Sequence, residues 1–219
     1  MSERWLIFAD DLTGAADSAI AFAKRRLPTR VVWGDARPEQ HADAFALSFD
    51  VASRAFDPAT AARRHVNVLH RCLDGRARVY KKIDSTLRGH PATEIAAMLD
   101  VLGARESAER AVLAPAFPAG GRTTREGRVF VHGVPLEFTE FWPEGRDPTD
   151  AGLIPLLESA GLHAHVVSLD VVRGPPETLS AALGPRGPMR RPTIAVCDAE
   201  TEVDLDRIAA ATMLEATFC

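Results

Sequence analysis

Three times in this chain an apolar, strand-like run ends in an aspartate, reaches a threonine within three residues and opens into a helix-like stretch. The three stretches are "IFADDLTG" (7–14), "VYKKIDSTLRG" (79–89) and "IAVCDAETE" (194–202). A repeated strand, polar turn and helix is the pattern of parallel strands joined by helical crossovers, and it excludes an all-helical or all-strand domain. In open parallel sheets ligands bind beyond the carboxyl ends of the strands, where such turns collect. The reading therefore brings all three acid-bearing turns to one crevice.

The rest of the chain follows the same rhythm. Strands are expected at Trp5–Ala9, Arg30–Trp33, Ala44–Phe49, Arg78–Ile83, Ala111–Ala114, His163–Ser168 and Thr193–Cys197. Helical stripes are expected through Ala16, Ala19, Ile20 and Ala23, through Ala62, Val66, Leu69 and Leu73, and through Ile95, Met98, Leu99 and Leu102. "RVFVHGVPLEFT" (128–139) reads as two strands around a His132-Gly133 turn. The fold class is thus α/β, in three layers. A mostly parallel open sheet carries helices on both faces, with a small antiparallel hairpin as an excursion. With 219 residues, 46% of them hydrophobic, one core is affordable, and residues 1–219 are read as one domain, with "GPRGPMRRP" (184–192) as a hinge or partial linker.

A formal net charge of −4 gives no broad attraction for nucleic acid or an anionic membrane, so neither is an expected partner. Three distant cysteines suggest neither a disulfide framework nor a metal site, and a reducing cytosol is the default. No apolar run approaches the roughly 20 residues that span a bilayer. The two common phosphate-cradling fingerprints and the serine nucleophile elbow are all missing.

Two adjacent acids at the first turn are the feature that asks for chemistry. Asp10 or Asp11 alone is explained by capping the next helix. A second carboxylate must then be exposed, paired with a cation or turned to a ligand, because neighbouring charges repel when dehydrated. Carboxylates accept hydroxyl hydrogens and can act as bases, so a polyhydroxy ligand suits the pair.

"KKIDSTLRGH" (81–90) concentrates two of the chain's three lysines with Asp84, Ser85 and Arg88 on a strand end. In one reading Asp84 or Ser85 is a helix cap among solvated basic residues. In the other, Arg88 grips a ligand carboxylate in a bidentate fork while Asp84 and Ser85 address hydroxyls. Strand alternation sends Lys81 and Lys82 to opposite faces. "PAFPAGGRTTREG" (115–127) is either a mobile surface loop or a lid in which Arg122, Thr123 and Thr124 offer donors to an anion.

Taken in order, "ADDLTGAAD", "KKIDSTLRGH", "PAFPAGGRTT" and "VHGVPLEFT", with "RDP" (146–148) and "CDAET" (197–201) after them, resemble the motifs of the four-carbon acid sugar kinases. The resemblance runs over essentially the whole chain. It implies phosphorylation of the terminal hydroxyl of threonate, erythronate or a 3-oxo-tetronate, with ATP and Mg²⁺ bound mainly by a C-terminal nucleotide lobe whose Gly-rich motifs have no counterpart here. This chain would be the N-terminal sugar-binding lobe, with catalytic candidates Asp10, Asp11 and Asp84. Thr13, Lys82, Ser85, Arg88, Arg122 and Thr123 would bind substrate, no cofactor or metal ligand is expected in the chain, and little or no ATP turnover is expected from it alone. Its partners would be a small acid sugar, a second lobe or separate nucleotide-binding chain and, as a further candidate, a second copy of itself. The family usually carries an acid before the threonine of the hairpin motif, where this chain has Phe138-Thr139. Two rival readings are an aspartate-dependent sugar-phosphate phosphatase, weakened because Leu12 stands where its second acid belongs, and a stand-alone acid-sugar binder.

Overall fold

The computed structural model describes residues 4–34, 41, 43–73, 77–104, 110–142, 151–184, 193–212 and 217–218. These residues cluster into two compact units, Met1–Arg105 and Glu106–Thr217. The "GPRGPMRRP" linker reading and the "RDP" motif fall outside the described residues, apart from Gly184.

In the first unit, β1 (Arg4–Ala9), β2 (Thr29–Trp33), β3 (Ala46–Asp50) and β4 (Ala77–Lys82) form a parallel sheet in the order β2-β3-β1-β4. Register fixes which side chains share a face: Phe8 lies beside Phe49 and Lys81, and Ala9 beside Asp50 and Lys82. Helix α1 (Leu12–Ala23) covers the Trp5 and Ala9 face, where Trp5 packs on Phe22 and the buried Ser48 hydroxyl donates to the Ala15 carbonyl at 2.7 Å. Helices α2 (Pro58–Cys72) and α3 (Pro91–Ala104) supply the partners of Lys81 on the opposite face. The expected layering, helices on both faces of a parallel sheet, is present in this unit.

The helical stripes differ from expectation in two of three cases. The buried line of α2 is Ala61, His65, Leu69 and Cys72, one position from the expected Ala62 and Val66, because a buried histidine takes a place that an apolar stripe would assign to a hydrophobe. In α1 the buried residues are Gly14, Ala15 and Ala19, whereas Ile20 is half exposed. The α3 stripe of Ile95, Met98, Leu99 and Leu102 is buried as expected.

The second unit has its own parallel strands, β5 (Arg110–Leu113), β9 (Ala164–Val167) and β10 (Ile194–Cys197), with β10 between the other two. Val112, Val167, Ala195 and Cys197 pack with residues of α5 (Leu169–Arg173), α6 (Pro176–Ala182) and α7 (Glu202–Thr212). Helix α4 (Leu153–Glu158) precedes β9. The Pro/Gly-rich stretch is more regular than the sequence suggests: β6 (Arg122–Arg125), β7 (Arg128–Val131) and β8 (Val134–Pro135) form an antiparallel sheet. His132 and Gly133 make the β7–β8 turn as read.

The fold is α/β as expected, but its parallel strands divide between two sheets. Asp198 follows β10 in the second unit's sheet, whereas Asp10 and Asp84 follow β1 and β4 in the first unit's.

Candidate functional site

Strands β1, β3 and β4 are neighbours and end at the same level, so the loops that follow them interlock. After β1, the Asp10 carbonyl accepts the N–H groups of Ser53 and Arg54 at 2.9 and 3.2 Å. Asp11 is the N-cap of α1, its Oδ1 accepting the Gly14 N–H at 2.8 Å. Gly14 allows this tightness, since a Cβ there would lie 2.9 Å from that oxygen and 3.5 Å from the Cβ of Ala9. At Gly89, with φ +77°, a Cβ would meet Asp10 Oδ2 at 2.9 Å. Ala52 and Leu87 hold left-handed backbone (φ +50° and +58°) in the other two loops. Such conformations cost on the order of 1 kcal/mol each and persist where surrounding contacts enforce them.

The decisive side chain is Arg54, which sequence reasoning missed. Its Nε and Nη2 donate to the two oxygens of Asp10 at 2.7 and 2.9 Å, and its Nη1 donates to Asp11 Oδ2 at 2.6 Å. Nη2 also lies 3.8 Å from Asp84 Oδ1. The question raised by two adjacent acids is answered here: one guanidinium joins both, and Asp11 caps the helix with its other oxygen. The bond to Asp10 raises the Arg54 pKa further, against the opposing effect of burial and with help from the Asp10, Asp11 and Asp84 charges.

Asp84 is held just as firmly. Oδ1 accepts Arg88 Nη2 at 2.6 Å, while Oδ2 accepts Arg88 Nε at 3.0 Å and the Thr86 N–H at 3.1 Å. Burial pushes this carboxyl up, but the hydrogen bonds from Arg88 and Thr86 outweigh it and hold Asp84 well below the usual carboxylate range. An alternating series Asp11, Arg54, Asp84, Arg88 results, with charge-assisted contacts stronger than neutral ones. Lys82 lies over Gly14 and donates to the Ile83 carbonyl at 2.6 Å, its pKa lowered mainly by burial.

Exposure separates the three acids. The Asp10 side chain is 4% exposed, that of Asp84 11% and that of Asp11 29%, whereas Arg88 is 55% exposed. The fork of Arg88 closes on Asp84, which uses Nε and one N–H of Nη2. Its Nη1 edge keeps donors that no other described residue takes up. Thr13 is exposed in the first turn of α1, and Ser85 is half-buried beside Asp84.

Arg122 and Thr123 belong to the second unit. Arg122 donates to the Gly120 carbonyl at 2.7 Å and lies over the Phe141 ring at 5.5 Å, and Thr123 pairs with Phe130. Asp198 accepts the N–H groups of Glu126 and Gly127 at 2.7 and 3.0 Å, and burial pushes its carboxyl up despite them. Phe138 is 73% exposed. A cavity of about 770 Å³, lined by Val172, Leu179, Ala211 and Arg207 among others, opens in this unit, and none of the residues selected from sequence lines it.

Residues 5–219 match the model of a family described as the sugar-binding N-terminal domain. The chain belongs to that family. It is 44% identical over 211 residues to a D-threonate kinase of Cupriavidus necator, covering 95% of this chain and 49% of the relative. It is 34% identical over 209 residues to a D-erythronate kinase of Heliobacterium modesticaldum, covering 93% and 47%. A solved domain of unknown function from Bordetella bronchiseptica, described as a domain-swapped dimer with bound citrate, is 29% identical, with a TM-score of 0.74 over 100% of this chain and 54% of that one. The chain spans about half the length of the curated relatives it matches. Among the described residues no helix is long and apolar enough to cross a membrane.

Proposed function

We propose that the interlocked loops of the first unit bind a four-carbon acid sugar, and that residues 1–219 serve as the substrate-binding lobe of a kinase acting on its terminal hydroxyl. The observation that carries this reading is the pairing of an exposed, partly unused guanidinium with a carboxylate that keeps acceptor capacity. Arg88 offers its Nη1 edge to the ligand carboxylate without releasing Asp84. Asp11, the most exposed of the three acids, accepts a ligand hydroxyl with lone pairs left over from Gly14 and Arg54. Asp10 is the anchor of the Arg54 clamp, and Asp84, held ionised, orients Arg88. The names of the kinase relatives and the citrate in the Bordetella bronchiseptica structure support a hydroxy-acid ligand.

Phosphoryl transfer depends mainly on positioning and charge stabilisation, so the contribution of this lobe is to hold the acid sugar with its hydroxyl oriented. ATP and Mg²⁺ come with the nucleotide lobe in this reading. Among the described residues no cluster of three His, Cys, Asp or Glu is arranged to hold the metal, and the Asp10 and Asp84 oxygens are taken up by arginines and backbone N–H groups.

Calorimetric titration with D-threonate, D-erythronate and a 3-oxo-tetronate tests the reading. Arg88→Ala removes a charge-assisted carboxylate contact worth about 2 kcal/mol, roughly thirtyfold in affinity. Because Arg88 is more than half exposed, the same change leaves the fold intact. Unchanged affinity would remove Arg88 from the site, and phosphate release from a sugar phosphate without ATP would favour the phosphatase reading.

A further inference from the structure

Beneath the Arg54 clamp, on the α2 and α3 face of the sheet, four polar side chains share an otherwise apolar interior. Ser53 and His65 have no exposure, Glu94 has 1% and Lys81 5%. Glu94 Oε2 meets Lys81 Nζ at 2.9 Å and lies 3.7 Å from His65 Nε2, and its Oε1 accepts the Ser53 hydroxyl at 2.8 Å. His65 Nδ1 lies 3.1 Å from the Ala61 carbonyl, and Lys81 Nζ also donates to the Lys82 carbonyl at 2.9 Å.

Such a group is poorly explained by stability. Burying an ion pair costs several kcal/mol of hydration per ion, and well-packed apolar residues often do as well or better. Its connections show what it holds. Ser53 lies between Ala52, whose backbone is left-handed, and Arg54, and its N–H is one of two donated to the Asp10 carbonyl. Lys81 lies three residues before Asp84 on the strand that delivers that acid. Glu94 therefore ties the loop that carries Arg54 to the strand end that carries Asp84, and it lies behind both without reaching the exposed site.

We infer that Glu94, acting through the Ser53 hydroxyl, is a positioning residue that fixes the Arg54 fork on Asp10 and Asp11. The sugar-binding part of this inference rests on the function proposed above, but the positioning part concerns the ligand-free chain. Ser53→Ala removes one buried hydroxyl and leaves the Lys81–Glu94 pair intact. Glu94→Gln keeps the shape and removes the charge.

Two readouts test it in the full chain at pH 7: the Arg54 Nε–H resonance by ¹⁵N NMR without ligand, and D-threonate affinity by calorimetry. The wild type should show a slowly exchanging Arg54 Nε–H. Both variants should shift that signal towards its solvent-exposed position and weaken D-threonate binding about tenfold through the loosened Arg54 fork. In an Arg54→Lys background the Ser53 change should weaken binding no further. An unchanged Arg54 resonance in folded Ser53→Ala and Glu94→Gln would overturn the inference. A shifted resonance in a chain whose wild type binds no tetronate would sink the sugar reading and leave the positioning of Arg54 supported.

Discussion

Arg54→Met is the perturbation that reports most on how the site is built. Arg54 makes three contacts of 2.6–2.9 Å to two carboxylates, and the Asp10 side chain is 4% exposed. Removing the cation leaves a buried carboxylate beside a like charge. Breaking one side of a buried pair costs about 3–5 kcal/mol. Arg54 itself is 26% exposed, so water can replace part of what it supplies, and the low end, about 3 kcal/mol, is expected. Methionine keeps the bulk of the side-chain stem, which isolates the charge. The assay is urea denaturation of wild type, Arg54→Met, Asp10→Asn and the double variant. Because the two residues share their strongest contacts, the double change should cost about 2 kcal/mol less than the sum of the single ones. Additive effects, or an Arg54→Met cost below about 0.5 kcal/mol, would refute the claim that Arg54 neutralises the paired acids.

Gly89→Ala should destabilise the first unit by about 1–2 kcal/mol in the same assay, because the backbone is left-handed there and the new Cβ crowds Asp10. The pKa of His65 is lowered to about 4 by burial and the neighbouring Lys81 charge, against the pull of Glu94. The unfolded chain, whose histidine titrates near 6.5, binds more protons between these values, so the His65 contribution is complete above about pH 6.5 and is lost as pH falls towards 4. Stability should drop by about 2 kcal/mol between pH 6.5 and 5, and His65→Gln should flatten that slope. Asp11→Ala should cost about 1 kcal/mol as a lost helix cap and also weaken tetronate binding, whereas a purely structural cap would change only the denaturation midpoint.

How much of this was legible follows from how far each feature reaches along the chain. The β1–α1 turn, the Asp11 cap, the hairpin turn at His132 and the opposite faces of Lys81 and Lys82 depend on neighbours in sequence, and local pattern is enough to find them. Arg54 could not be found that way. It stands in "VASRAF" with no motif around it, and only the order β2-β3-β1-β4 brings its loop beside Asp10. Arg88, read as gripping a ligand carboxylate, spends its fork on Asp84 four residues before it in the same loop, a local pairing that the motif alone leaves open. The Lys81, Glu94, His65 and Ser53 group combines two helices, a strand and a loop. Its one sequence signal was His65 at helical spacing with Ala61 and Leu69. The division of the parallel strands between two sheets was hidden for the same reason, since alternating strands and helices do not reveal where one sheet stops.

The most direct measurement is a crystal structure of the chain soaked with D-threonate. The account predicts the ligand carboxylate at about 3 Å from the Nη1 edge of Arg88 and a ligand hydroxyl at about 3 Å from Asp11, with the Arg54 clamp unbroken. A tetronate seated away from these loops, or one that binds only after Arg54 leaves Asp10 and Asp11, would contradict it.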